Sequence, residues 1–393
     1  MKVLMATHYF EGIDGGIQSV AHALAAALTE RSGMSVAWAA ADGLPAVSEG
    51  KIERLLLPSW DWIHRRVGLP MPIPRFRALR ALWRRLASVD VLLVHDCLYL
   101  SNIAAFVMAK CRRRPIVVIQ HIAAVPYSNP LIRSVMALGN ALATRTMLRQ
   151  ADQVVFISAT TERHFAALRY RRPPVLIFNG VDTDLFQPLR GDRRIVRRDL
   201  GLPIDSPMAL FVGRFVEKKG LPLLAELARR RPEITWVFAG SGPDDPRHWN
   251  LPNVTVLGDR QGETLAPLYQ AADLLVLPSY GEGYPLVIQE ALAVGLPVLC
   301  SDDVATADAA AAALLNHRPV EPADMLAPIG EWLAAIDEAM VDREGKAEQA
   351  SELAAFARHH YSWSVAAERY AAMLEEIAAG KSSARAVRAG SHA

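Results

Sequence analysis

Short apolar runs separated by polar, glycine-bearing turns recur along this chain. Residues 2–7 form the first run, and a loop at 8–15 leads into Gly16-Ile-Gln-Ser-Val-Ala-His-Ala-Leu-Ala-Ala-Ala-Leu, which has helical spacing. Runs at 34–40, 89–94, 115–120 and 154–158 are too short for helices and end in polar or turn residues, so each predicts a buried strand. Strands that alternate with helices in this way predict a doubly wound α/β domain with a parallel sheet. A helix predicted at 159–168 closes this series, and a second one runs through 209–212, 236–239, 254–257, 274–277 and 297–300, with helices predicted at 221–229 and 264–271. Beyond Ser301 the chain turns alanine-rich, and helices are predicted at about 323–340, 346–358 and 364–378. The small, polar and basic residues 380–393 predict a disordered tail.

One stretch concentrates candidate chemistry. The strand at 274–277 runs into Pro278-Ser-Tyr-Gly-Glu282-Gly283, a turn-forming loop, and Pro285 suits the first turn of a helix that stops at Gly295. The backbone N–H groups of Leu286 and Val287 would lack partners at that helix start and could hold a phosphate. Glu290 lies about one turn further in. Upstream, Gly213-Arg214-Phe-Val-Glu-Lys-Lys219-Gly220 follows a strand, and cations beside a glycine turn at a strand's end suit a diphosphate. Gly15 and Gly16 would likewise let a ligand approach the backbone at the start of the first helix. His95-Asp96 and Gln120-His121 end two strands, where doubly wound sheets face their ligands, and His121 is the histidine chosen for the active site.

Composition narrows the class. The chain has 393 residues, 51% hydrophobic and 21% charged, which suggests two globular domains, or one large one, with ample core. The apolar start at 1–6 is too short for a signal peptide, no apolar run is long enough to span a bilayer, and Cys97, Cys111 and Cys300 are widely separated. These features predict a cytoplasmic protein without disulfides or a zinc framework. Charge is divided unevenly: residues 1–180 hold 22 basic and 11 acidic residues, the remainder 21 and 30. A basic half predicts an anionic partner.

That partner is read as a membrane surface. After a proline-rich loop at 70–74, the segment 75–86 predicts a helix with apolar positions Phe76, Leu79, Leu82, Trp83 and Leu86, surrounded by Arg75, Arg77, Arg80, Arg84 and Arg85. Such a helix can lie on anionic lipid, each basic residue adding about 1 kcal/mol. Nucleic acid is not expected, because few aromatics are placed for base stacking. Asp182-Thr-Asp184 is read as a polar turn and not a metal site, since no third acidic ligand is near in sequence. Gly240-Ser-Gly242 lacks the third glycine of a dinucleotide fingerprint, so an oxidoreductase is not expected.

These motifs, in their order, resemble the GT-B fold glycosyltransferases of the large retaining family 4: the Gly15-Gly16 loop, Asn179-Gly-Val-Asp182, Gly213-Arg214 with Lys219-Gly220, Gly240-Ser-Gly242, and Glu282 followed eight positions later by Glu290. The resemblance covers about residues 1–375. It implies two Rossmann-like domains facing across a cleft, an acceptor-binding domain at 1–182 and a nucleotide-sugar domain at 183–360, with a last helix at 361–378 packing back on the first. It implies that Glu282 contacts hydroxyls of the donor sugar, Glu290 the ribose, and the amides near Gly283, Tyr284, Leu286 and Val287 the sugar and diphosphate. Arg214 and Lys219 would neutralise the leaving diphosphate, Arg260 would lie by the base, and His121 near the anomeric centre. No metal and no cofactor is expected. The family's Gly-Gly-x-x-Glu stretch is replaced here by Ser301-Asp-Asp-Val-Ala-Thr-Ala-Asp-Ala.

The function expected is transfer of a sugar from a UDP- or GDP-sugar to a lipid-linked or glycan acceptor in cell-surface polysaccharide or glycolipid synthesis, at the inner face of a membrane. Two other classes fit parts of the pattern: a sugar-nucleotide epimerase, which would consume donor without acceptor, and a non-catalytic nucleotide-sugar-binding partner.

Overall fold

The computed structural model describes residues 1–10, 16–41, 52–67, 71–123, 134, 137–341 and 346–390. The chain divides into two compact units, Met1–Gly180 with Trp363–Ala393, and Val181–Ser362.

Unit 1 is built on a parallel sheet. Its strands are β1 (Lys2–Tyr9), β2 (Ser35–Ala41), β3 (Glu53–Leu57), β6 (Val91–His95), β7 (Ile116–Gln120), β8 (Gln153–Phe156) and β9 (Val175–Leu176), in the order β3-β2-β1-β6-β7-β8-β9. A two-stranded antiparallel pair, β4 (Ser59–Trp60) and β5 (Ile73–Pro74), stands apart from it, with the short helix α2 (Trp62–Val67) between them in sequence. The strands are apolar at nearly every position because both faces are covered. Along β1, Val3 and Met5 join a core with α1 (Gly16–Arg31) and with Ala367, Tyr370, Leu374 and Ile377 of the helix Trp363–Gly390. Leu4 and Ala6 point the other way, into a core shared with α3 (Phe76–Arg85) and α4 (Leu100–Cys111).

Unit 2 repeats the plan with strands β10 (Met208–Val212), β11 (Thr235–Ala239), β12 (Val254–Gly258), β13 (Leu274–Leu277), β14 (Val298–Ser301) and β15 (Asn316–Arg318), all parallel, in the order β12-β11-β10-β13-β14-β15. In each sheet the order reverses once, between β1 and β6 and between β10 and β13. Connections on the two sides of that point leave in opposite directions, which opens a crevice at the strands' carboxyl ends.

The two crossings between units are each fixed locally. Within unit 2 the Val181 N–H donates to the Tyr361 carbonyl at 2.6 Å, and Val181 bridges Ser362. Within unit 1 a Cβ on Gly180 would lie 2.2 Å from the Trp363 ring, so the close approach requires glycine.

Some expectations need correction. β1 continues through His8 to Tyr9, so His8 is a strand residue and not the start of a loop. The helix after β8 stops at His164. The final helix starts at Trp363 and continues to Gly390, through most of the segment read as a disordered tail; alanine and arginine carry high helix propensity. On α3 the predicted apolar stripe splits: Ala78 and Leu82 are buried, with Leu86 just beyond the helix, while Phe76 is 77% exposed and Trp83 39%. Gly15 lies outside the described residues. Among the described residues, no helix is long and apolar enough to cross a membrane.

Candidate active site

The charged site in unit 2 sits at its switch point. β10 ends at Val212 and Gly213 follows with φ +150°; the short helical turn Glu217–Lys219 then closes on Gly220, whose φ is +71°. A side chain at Gly220 would meet the Pro278 carbonyl at 2.4 Å, so glycine lets the loop after β10 touch the loop after β13. Tyr280 N–H donates to the Lys218 carbonyl at 3.0 Å across the same seam. This contact delivers Lys219 to Glu282. Lys219 Nζ donates to Glu282 Oε2 at 2.8 Å, and Lys218 Nζ lies 3.3 Å from Oε1. The Lys219 and Glu282 side chains are only 12% and 10% exposed, so both charges are mostly out of water and each needs the other. Burial opposes ionisation of Glu282, but the two ammonium groups outweigh it and hold the carboxyl below its ordinary value. Lys218 is a member of this site that the motif reading did not select.

The helix Leu286–Ala293 begins at Pro285 without a side-chain cap; the Ile288 N–H donates to the Pro285 carbonyl at 3.1 Å, which leaves the Leu286 and Val287 amides of the first turn for a ligand. Glu290 on that helix accepts a hydrogen bond from the buried Tyr269 hydroxyl at 2.6 Å. Burial pushes the Glu290 carboxyl up to about 7, against the pull of that hydrogen bond. Arg214, beyond β10, and Arg260, beyond β12, are exposed. Gly213, Arg214, Lys219, Arg260, Glu282, Gly283, Tyr284, Leu286, Val287 and Glu290 therefore all follow the carboxyl ends of β10, β12 and β13, at one edge of one unit. A separate cavity of about 430 Å³, lined by Pro188, Arg193, Tyr269, Gly295, Ala350 and Arg358 among others, contains none of these ten residues.

Unit 1 carries a different set at its own switch point. His95 Nδ1 lies 3.1 Å from His121 Nε2, and Gln18 Nε2 on α1 donates to His8 Nε2 at 3.1 Å. The His8 ring stacks on Tyr99 with centroids 3.7 Å apart. Asp96 takes φ +71°, and its Oδ1 accepts from the Cys97 N–H and from Gln120 Nε2. Burial lowers the His8 and His121 rings to about 3, lowers His95 as well, and raises Asp96 to about 6, so the three rings are neutral at pH 7. Among the described residues, five buried atoms of this cluster have no hydrogen-bond partner: His8 Nδ1, Gln18 Oε1, His95 Nε2, Asp96 Oδ2 and Gln120 Oε1. Buried polar atoms are rarely left so, and a cluster of them marks a place for a polar ligand. His8 and Gln18 escaped the sequence reading because a lone histidine and a lone glutamine carry no spacing signal. Gly16 opens α1 with nothing near its missing side chain.

Asp182 spends its carboxylate on the Asp184 and Leu185 N–H groups, which makes it the turn that was expected. Of the five arginines expected at a membrane, Arg75, Arg77, Arg80 and Arg84 are exposed, whereas Arg85 is half-buried and paired with Glu53. Arg75 lies over the exposed Trp60 ring, and Arg112 sits 4.0 Å from the centroid of Trp83.

Both units match known families. The model for glycosyl transferases group 1 matches residues 192–343, and that for Glycosyltransferase Family 4 matches residues 14–185. Two parallel-sheet units of this order define the GT-B fold, and solved glycosyltransferases share it. A sucrose-phosphate synthase from Thermosynechococcus elongatus superposes with a TM-score of 0.69 at 19% identity, over 96% of this chain and 99% of that one. HepE of Anabaena, solved with UDP-glucose, gives 0.71 at 19%, over 96% and 100%. Among curated proteins, a D-inositol 3-phosphate glycosyltransferase of Mycobacterium leprae is 30% identical over 236 residues, 54% of this chain. That match spans 52% of the relative, about half its length. The chain belongs to the GT-B glycosyltransferases of family 4.

Proposed function

We propose that this protein is a retaining, metal-independent glycosyltransferase that moves a sugar from a UDP- or GDP-sugar to a lipid-linked or glycan acceptor. The observation that carries this reading is the Lys219–Glu282 pair beside the uncapped start of the helix Leu286–Ala293, at the switch point of unit 2. A departing nucleoside diphosphate gathers negative charge. Lys219, Arg214 and the helix start supply fixed positive charge where it develops. Lys219 has three donor hydrogens, so it can serve a phosphate and keep Glu282 in place. Glu282 takes the donor-sugar hydroxyls, Glu290 the ribose hydroxyls, and Arg260 lies toward the base. His121, neutral, is available to a hydroxyl-bearing ligand at the switch point of unit 1. The UDP-glucose held by the Anabaena neighbour makes a uridine donor the first to try.

In the transfer, the bond from the anomeric carbon to the phosphate oxygen breaks as the acceptor oxygen bonds to that carbon on the same face. The acceptor's proton passes to the departing phosphate. This step asks for no glycosidase-type carboxylate pair. In a thermal-shift panel, the true donor at 100 times its dissociation constant should add about 2.7 kcal/mol to stability. No response to any UDP- or GDP-sugar overturns the reading.

The acceptor side of the proposal includes a membrane. Arg75, Arg77, Arg80 and Arg84 accompany the exposed Trp60, Phe76 and Trp83 in unit 1, a combination suited to an anionic interface. Vesicles containing anionic lipid should carry the protein up a flotation gradient at low salt, and joint loss of the four arginines should release it. Wild-type protein that stays at the bottom of the gradient sinks the membrane part alone.

A further inference from the structure

The loop that carries Glu282 is held from one side by lysines and from the other by a stretch with no assigned role. Ser301, at the end of β14, donates from its hydroxyl to the Ser279 carbonyl. Asp303 Oδ2 accepts the Gly281 N–H at 2.7 Å, and Gly281 takes φ +64°, a conformation that needs glycine. Asp308 caps the helix Ala309–Ala312 with Oδ1, while its Oδ2 accepts from the Tyr361 hydroxyl. The Tyr361 and Tyr284 oxygens lie 3.1 Å apart. Tyr361 has one proton and gives it to Asp308, so Tyr284 donates to Tyr361. The loop is thus gripped at positions 279, 281 and 284, on both sides of Glu282. All three grips come from residues 301–308, directly or through Tyr361.

Ordinary packing does not require this arrangement. Ser301, Asp308 and Tyr361 are buried, and the Asp308 carboxylate is placed where only hydroxyls and a helix start can satisfy it. Asp303, in contrast, is exposed and spends a charged group on one loop amide. A charge-assisted bond to a single amide adds little to the fold but fixes the direction of that peptide, and with it the next residue, Glu282.

We propose that Ser301, Asp303, Asp308 and Tyr361 form a clamp that positions the Glu282 loop for the donor. They are positioning residues: each acts through the loop and not on the reacting atoms. The clamp rests on the donor-site reading above. It predicts that loosening any one point lowers donor affinity while leaving acceptor use unchanged.

Two measurements on the full-length protein test this. In hydrogen exchange without ligand, Asp303→Ala and Tyr361→Phe should each speed exchange in the peptide covering 279–285, with little change elsewhere. In binding and kinetics, Asp303→Ala should weaken donor affinity about tenfold, as loss of one charge-assisted hydrogen bond allows. It should raise the donor KM and spare the acceptor KM, with Tm within a degree or so of wild type. Asp303→Asn, which keeps an acceptor oxygen, should behave like wild type in both. Unchanged exchange in 279–285 overturns the clamp. Faster exchange with donor affinity within twofold of wild type overturns its role in donor binding. A wild type that binds no nucleotide sugar overturns the donor-site reading, and the positioning role with it, while the exchange result still reports whether the grip exists.

Discussion

The two switch points share a topology and oppose each other in charge. In unit 2 the point is charged: two ammonium groups meet one carboxylate in a mostly buried pair, beside which Ser279 Oγ and both polar atoms of the Gln289 side chain have no partner among the described residues. In unit 1 it is neutral: three uncharged imidazoles, in a cluster where five buried polar atoms, two of them on those rings, have no partner among the described residues. The parallel sheet fixes where a ligand can sit, and the side chains beyond the strands decide which kind. A charged, prepaired crevice suits a diphosphate, whose charge grows during transfer. A neutral crevice with unmet hydrogen bonds suits hydroxyl groups, which exchange bonds with water at little cost.

The sharpest way to break this contrast is to remove the cation. Lys219→Ala should cut turnover by ~10²–10³, the usual loss for one preorganised donor aimed at developing charge. The equivalent loss of charge has no counterpart in unit 1, so a neutral substitution there, such as His95→Gln, should cost far less in nucleotide binding.

Acid should separate the two points next. His8 and His121, with values near 3 in the fold against 6.5 unfolded, favour the unfolded chain once protons are available. Their contribution to stability is complete above 6.5 and is lost as pH falls from there toward 3. Asp96, raised from 3.8 to about 6, works in the opposite sense over its own window, but one carboxyl faces three rings. Between pH 7.5 and 5, hydrogen exchange should therefore quicken in β1, β6 and β7 before it does in β10 and β13. Earlier opening of unit 2 would contradict the assignment.

The smallest effect concerns Glu290. Its ionisation is penalised in the fold, so its contribution to ligand-free stability falls as pH rises from 4.5 to about 7. If ribose hydroxyls bond to the carboxylate, donor binding favours the ionised form, and affinity should climb severalfold as pH rises through 7. Glu290→Gln should flatten that climb in a titration series.

Much of the fold and of the unit 2 site is legible in the sequence. Strands buried on both faces announce themselves as unbroken apolar runs, and the loop–helix stretch from Ser279 to Gly295 displays its glycines, its proline and its two glutamates in order. The contacts made across the fold were not legible. Lys219 and Glu282 are 63 positions apart, and their pairing depends on Gly220 fitting against Pro278. Tyr269 reaches Glu290, and Asp303 reaches Gly281, from elements that carry no chemical signature of their own. The amphipathic reading of 75–86 succeeded for the helix and misplaced part of its face. Phe76 and Trp83 fit the 3–4 spacing, yet the sheet is covered by Ala78, Leu82 and Leu86. Spacing gives a stripe, and only packing decides which edge of that stripe is buried.

The central claim is that unit 2 binds a nucleoside diphosphate through the Lys219 region. Calorimetric titration of UDP and GDP into wild type, Lys219→Ala and His95→Gln tests it most directly. The account predicts saturable binding of one nucleotide to wild type, equal binding to His95→Gln, and at least tenfold weaker binding to Lys219→Ala. Binding of neither nucleotide to wild type, or equal binding to Lys219→Ala, would contradict it.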